Sequence, residues 1–339
     1  MHAIVSAFEQ AWPPFVLVAG LLLIGAVAAS DGLFEAAGAS LARARLGPRG
    51  LLLLLLALVA VVTAVLNLDT SVVFLTPVLV HAARRRELDE RPFLYGSVFM
   101  ANAASLLLPG SNLTNLLVLR NDPQSGAAFG RQMLPAWLAA CAITAAFLLI
   151  AFPLEDSRPV PAEETAAHIG LGAVAIVLAT LLVVALRDPA LPVLALGLAA
   201  VGLRRLRPRL DLPTLALLFV LTVGLGTLAR LWHDPAGLLD GRATWTVAGI
   251  GATASVLLNN LPAAVLLSAR PPAHQDALLL GLDLGPNLAV TGSLSAVLWL
   301  QAARSAGARA SIVTYTRLGI ALVPLSLAAT LAALAAIRL

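Results

Sequence analysis

The chain has 339 residues, 60% of them hydrophobic and 12% charged, with a mean hydropathy of +0.92. So much apolar surface excludes a soluble globular domain and describes an all-α polytopic membrane protein with room for eight to ten membrane segments. The formal net charge is +4 and all 22 basic residues are Arg, most of them in short loops between apolar runs, so membrane topology accounts for them and no nucleic acid is needed. The single cysteine, Cys141, lies in an apolar run, which excludes an intramolecular disulfide or a Cys-based metal cluster.

Residues 15–30 form a first span, read as retained because no basic n-region or clear cleavage site accompanies it. Residues 31–48 set Phe34, Ala37, Leu41 and Ala44 against Glu35, Arg43 and Arg45, the pattern of an amphipathic interfacial helix. In 51–83, a polar knot of Asn67, Asp69, Thr70 and Ser71 separates two apolar arms. At about 1.5 Å per residue the arms reach roughly 24 and 20 Å, short of a hydrocarbon core of about 30 Å. Arg43, Arg45 and Arg49 precede this segment and Arg84, Arg85, Arg86 and Arg91 follow it, so both ends belong in the cytoplasm. The expectation is a re-entrant hairpin that turns at 67–70. A turn at that depth must be buried in protein or line a wet cavity. A carboxylate there costs on the order of a few kcal/mol, which marks Asp69 as functional.

Residues 93–119 are apolar but broken at Pro109-Gly110-Ser111-Asn112-Leu113-Thr114-Asn115, where Pro and Gly interrupt the helix and hydroxyl and amide groups offer ligands. Residues 132–152 are a span. A polar loop with Glu155, Asp156, Glu163 and Glu164 leads to two further spans, 168–186 beginning at His168 and 190–203, joined by Arg187-Asp188-Pro189. Arg204, Arg205, Arg207 and Arg209 close the middle section.

The second half repeats the order of parts. Residues 213–232 are a span, 244–269 a second hairpin turning at Asn259-Asn260-Leu261-Pro262, 276–300 a second broken helix, and 311–337 the last span. The organisation is a first repeat in 1–152, a central linker with two scaffold helices in 153–211 and a second, inverted repeat in 212–339, giving about eight full spans plus two hairpins. With the N-terminus outside, this threading places 15 Arg in the cytoplasm, Arg317 included, and 7 outside. Inverted repeats of this kind place a transporter's substrate at the midplane between discontinuous helices. Leu66-Asn67 beside Leu258-Asn259, and Gly110-Ser111 beside Gly292-Ser293, echo the same relation locally.

On Ser30-Asp31-Gly32-Leu33-Phe34, residues 67–77, Ala101-Asn102, 110–115, 259–262 and 283–299, the chain resembles the arsenite/antimonite permeases of the ArsB type. These belong to a wider ion-transporter superfamily that includes dicarboxylate and citrate carriers and a group of sodium/proton antiporters. The similarity runs over 20–335. It implies a proton-coupled exchanger of a bacterial inner membrane, with hairpin tips and helix breaks enclosing the substrate and moving elevator-like against a scaffold. The sequence departs from the family where Asn67-Leu68-Asp69-Thr70 replaces Asn-Asp-Gly-Ala, where Asn287 replaces the Lys of Gly-Pro-Lys, and where 289–293 lacks a Pro. The usual fold also has about two more N-terminal spans.

A small inorganic oxyacid or anion in a dry cavity needs donors in place of water, and helix N-termini after a break supply oriented N–H groups. Ser111, Asn112, Thr114 and Asn115 stand at one such N-terminus, and Thr291, Gly292 and Ser293 at the other, with Asn287 beside them. Asn67, Thr70, Asn259 and Asn260 at the tips both donate and accept, which suits a neutral trihydroxide such as arsenous acid. Asp69 is the first candidate to carry the coupling proton and Asp283 the second, while backbone carbonyls at the breaks suit Na+ instead. The same fold is also compatible with a carboxylate, sulfate or sodium/proton exchange, or with a non-transporting membrane protein. His-Glu-x-x-His, Gly-x-Ser-x-Gly and Walker A patterns are absent, so neither an enzyme of those types nor a cofactor is expected. The partners expected are the lipid bilayer and the cargo, with a homodimer and a cytoplasmic ATPase subunit docked on the Arg-rich loops left open.

Overall fold

A computed structural model describes residues 2–43, 46–120, 124–154, 170–186, 188–207, 212–231 and 235–337. The loop acids Glu155, Asp156, Glu163 and Glu164, together with His168, Arg187 and Arg209, lie outside the described residues. Among the described residues there are fifteen α-helices and no strand.

The first is longer than the expected span. α1 covers His2–Ser30 and carries Pro13 and Pro14 inside it. Two prolines remove two helical hydrogen bonds, but packing holds the N-terminal turns in line. Ala7 and Ala11 are buried, and Phe8 and Phe15 both meet the Phe219 ring edge-on at 5.7 and 5.3 Å. α2 (Leu33–Ala42) is the amphipathic segment, docked by Phe34, whose ring stacks on Phe74 at 5.5 Å.

The first hairpin is α3 (Pro48–Val65) followed by α4 (Leu68–Arg85). Its turn is tighter than expected, because only Leu66 and Asn67 lie outside helix. Asn67 is the N-cap of α4, its side chain accepting from the Thr70 N–H at 2.6 Å, so Asp69 and Thr70 already belong to the first helical turn. Each arm has 18 residues, about 27 Å, longer than the expected arms because Pro48 starts one helix early and Arg84 and Arg85 extend the other. The chain does reverse, and Ser71 Oγ on the outgoing arm lies 3.5 Å from the Val59 carbonyl on the incoming one.

α5 (Arg91–Ala104) runs into a 3-10 turn at Pro109–Ser111 and resumes as α6 (Leu113–Leu119), the first broken helix. α7 (Gly126–Ala151), α8 (Leu171–Ala185), α9 (Ala190–Arg204) and α10 (Leu212–Leu231) follow. The second hairpin is α11 (Thr244–Leu258) with α12 (Asn260–Leu267). The second broken helix is α13 (Gln275–Leu284), two 3-10 turns at Gly285–Leu288 and Val290–Gly292, and α14 (Leu294–Ser305). α15 (Ile312–Ile337) ends the described chain. By length and composition α1, α3, α7 and α15 are each able to cross a membrane alone, while α8, α9, α11 and part of α10 are shorter apolar helices.

Two layers position the site. α1 packs on α8, α9 and α10 to form one wall. Its contact with α9 is backbone to backbone, since a Cβ on Gly20 would lie 2.8 Å from Leu194 Cα and one on Gly197 2.7 Å from the Gly20 carbonyl. The other layer holds the hairpins and breaks. The leading segments of its two broken helices, α5 and α13, are buried on every side, as helices apolar all round must be. Tyr95, Phe99, Trp299 and Tyr315 join α5, α14 and α15, with ring centroids 4.9 to 6.3 Å apart. Trp299 Nε1 donates to Leu94 O at 2.9 Å and Tyr315 OH to Pro286 O at 3.0 Å, so the polar tips of these rings are satisfied.

Candidate functional site

The two helix breaks face each other through side chains. Asn112, N-cap of α6, accepts from the Thr114 N–H at 3.1 Å and donates from Nδ2 to Asp283 Oδ1 at 3.0 Å. Asn102 Nδ2 donates to Asn287 Oδ1 at 2.7 Å. Asn102 and Asn112 are ten residues apart, as are Asp283 and Ser293, the N-cap of α14. The breaks are therefore built alike: a polar residue inside the first half-helix, then a cap on the second. Asn115 closes the first break by donating to the carbonyls of Ser105 and Leu108 at 2.8 and 3.3 Å.

Each hairpin tip is tied to the break of its own half. Ser111 Oγ donates to Ala64 O at 3.0 Å, and Asn259 Nδ2 donates to Thr291 O at 3.2 Å. The first hairpin also reaches across, because Ser295 Oγ in the first turn of α14 donates to Asp69 Oδ1 at 2.6 Å. Farther along the same two helices, Arg84 donates to Ala306 O at 2.6 Å and Gly307 O at 2.9 Å. Two contacts in that order make α4 and α14 run side by side in the same direction. α12 of the second hairpin packs correspondingly on α6 of the first break.

The family described as citrate transporter, CitMHS, matches residues 1–286. The chain belongs to the CitMHS family. It is 25% identical over 364 residues to a 46 kDa membrane protein of Mycobacterium leprae (strain TN), covering 94% of this chain and 84% of that one. It is 30% identical over 156 residues to the silicon efflux transporter LSI3 of Oryza sativa subsp. japonica, covering 46% of this chain and 32% of that protein, so it spans about a third of the latter's length. The crystal structure of the Alcanivorax borkumensis YdaH transporter, described as having an unusual topology, shares the fold with a TM-score of 0.62 at 15% identity, over 99% of this chain and 87% of that one. Family and fold are those of a membrane-embedded secondary transporter.

In this CitMHS protein the crossed network leaves atoms unpaired. Buried and without a partner are the oxygens Asn102 Oδ1, Asn115 Oδ1, Asn260 Oδ1 and Asp283 Oδ2, the amide nitrogen Asn67 Nδ2, and the hydroxyls of Thr70 and Thr114. Most buried polar atoms in proteins are paired, and an unpaired one costs about 1–3 kcal/mol, so these atoms are open to a water, an ion or a ligand as partner. Among the described residues the one buried basic side chain is Arg86, which bonds to Leu46 O at 2.6 Å at the far end of α4. A cavity of about 850 Å³ lies elsewhere, lined by Gln132, Thr244, Trp245, His274 and Asp276 at the starts of α7, α11 and α13, and shares none of these residues.

Most of the residues singled out in the sequence lie in the network. Asn67, Thr70, Ser111, Asn112, Thr114, Asn115, Asn260, Asp283, Asn287, Gly292 and Ser293 are buried, Asp69 and Asn259 are partly buried, and Thr291 is exposed. Thr291 contributes its carbonyl, as Gly292 and Thr291 occupy a 3-10 turn before the N-terminus of α14. Among the described residues no hydrogen bond links Asn67 to Asn259, and each tip is instead tied to a helix break. Ser295, Ser105 and the role of Asn102 were missed. Asn102 had a signal, a lone amide ten residues before Asn112 in an apolar run, whereas Ser295 had only its closeness to Ser293.

Proposed function

We propose that the protein exports a small, neutral, hydroxylated oxyacid, with arsenous acid the first candidate, in exchange for protons. One observation carries this reading: of the seven unpaired buried atoms named above, four are carbonyl or carboxylate oxygens that only accept, two are hydroxyls that both donate and accept, and one is an amide nitrogen. A trihydroxide brings three O–H donors to them. The carboxylates of a fully ionised tricarboxylate bring only acceptors, and they would enter beside Asp69 and Asp283, where among the described residues no buried cation balances the charge. The name of the silicon efflux relative points to the same chemistry, because dissolved silicon is a neutral hydroxide.

Asp69 carries the coupling proton in this scheme. It is partly buried, and its one hydrogen bond among the described residues comes from the opposite half of the chain. The hairpins and breaks travel as one body against the wall of α1, α8, α9 and α10. The N-terminus lies outside in this scheme, the orientation that the Arg distribution favours.

A second reading uses the same oxygens. Four unpaired acceptor oxygens suit Na+, with Asp283 supplying the charge. Flux into everted vesicles decides between the readings and the cargo. Arsenite uptake driven by a pH gradient and indifferent to Na+ is expected. Citrate moving faster than arsenite would overturn the cargo, and uptake that needs a Na+ gradient would overturn the coupling ion.

A further inference from the structure

Three arginines end α4, and they are not used alike. Arg84 reaches Glu90 and two carbonyls of the second repeat, and Arg86 reaches Leu46 O. Arg85 between them has no partner among the described residues. Its side chain lines a cavity of about 330 Å³ between α4 and α2, together with His81 and Pro77 on α4 and Glu35 and Gly38 on α2. Glu35 and His81 are equally without partners among the described residues. His81 and Arg85, four residues apart, share one face of α4. α2 is pressed onto that helix at Gly38, where a Cβ would collide with Val78. One wall of the cavity is thus acidic and the other basic, and no ion pair closes the gap.

An acid and two donors held apart around a cavity match a ligand that carries a cation and an anion on one short frame. A phosphate takes well to a guanidinium and an imidazole N–H, and an ammonium to a carboxylate. The place suits a lipid: α2 is the amphipathic helix before the first hairpin, and Arg85 stands where α4 ends among Arg residues. On its other flank α2 borders an apolar groove of about 410 Å³, formed by Leu33, Phe34 and Ala37 with Leu58, Val62 and Ile176. That groove is apolar enough to bed an acyl chain on the far side of α2 from the headgroup cavity.

We propose that Glu35, His81 and Arg85 hold the zwitterionic headgroup of a phosphoethanolamine lipid, the phosphate on Arg85 and His81 and the ammonium on Glu35. The site is independent of the cargo. The test is native mass spectrometry of the full chain after exchange into equimolar phosphatidylethanolamine and phosphatidylglycerol. The wild type is expected to retain the ethanolamine lipid several-fold over the glycerol lipid. Glu35→Gln is expected to bring that ratio close to one, because only the ammonium contact is lost, and Arg85→Gln to lower retention of both. Equal retention of the two lipids by the wild type, or a ratio unchanged in Glu35→Gln, would overturn the proposal. Soluble O-phosphoethanolamine at millimolar concentration is expected to leave the lipid in place, and displacement would overturn the lipid as the ligand.

Discussion

The carboxylate of Asp69 accepts a 2.6 Å hydrogen bond from the hydroxyl of Ser295, 226 residues away in the opposite half of the chain. The pair joins the first turn of α4 to the first turn of α14, which puts a titratable group between the two halves. An amide at position 69 keeps an acceptor for Ser295. Asp69→Asn is therefore expected to fold with a nearly unchanged melting temperature while losing uptake driven by a pH gradient. Proton-driven uptake at the wild-type rate in this variant would remove Asp69 from the coupling step.

Asn112 and Asp283 bridge the two breaks. Removing the amide in Asn112→Ala leaves a buried carboxylate with neither oxygen bonded, at a cost of about 1.5–3 kcal/mol. In an Asp283→Asn background the same truncation strands only a neutral amide. A double-mutant cycle on thermal stability should give a coupling of at least about 0.5 kcal/mol, and additive losses would mean the contact does not form.

Asn259 sits at φ 76 and ψ 148, a region that side-chain-bearing residues adopt at a cost of about 1–3 kcal/mol. Both Asn259→Gly and Asn259→Ala lose the bonds to Thr291 O and Leu261 N. Only Gly relieves the backbone. The Ala variant is thus expected to be the less stable by about 1 kcal/mol or more, read as a lower melting temperature. The reverse order would place the tip in a different conformation.

Arg84 caps the C-terminal end of α14 with two carbonyl bonds while its Nε pairs with Glu90 at 2.5 Å. The side chain is 39% exposed, so solvent screening limits its contribution to roughly 1 kcal/mol. The three bonds leave from three separate nitrogens of one planar fork, a spread that the single nitrogen of an ammonium does not span. Arg84→Lys is expected to melt like Arg84→Ala, and full recovery by Lys would reduce the contact to simple charge.

Local chemistry explains what was readable beforehand. Asn67, Asn112, Asn259 and Ser293 interrupt apolar runs, and each proves to be a helix N-cap, so residues expected to be ligands also set the breaks. Capping uses the Asn67 carbonyl oxygen and leaves its amide nitrogen unpaired, so the two roles coexist in one side chain. Ser295 was invisible because its partner lies in the other repeat, where no local periodicity reports it. The length of α1 was missed for a related reason: Pro13 and Pro14 argue for a boundary, and packing on residues distant in sequence, Phe219 among them, holds the helix through them. The tip was drawn too wide because Asp69 and Thr70 are polar, although polarity is equally at home in a first helical turn.

Where Gly20 meets Gly197, and where a Cβ on Gly172 would collide with Ala28, main chain rests directly on main chain. A seam of that kind has no side-chain knobs that could disengage and re-seat one turn along. α1, α8 and α9 are thereby packed as one unit, which would be the stationary side of the movement proposed above.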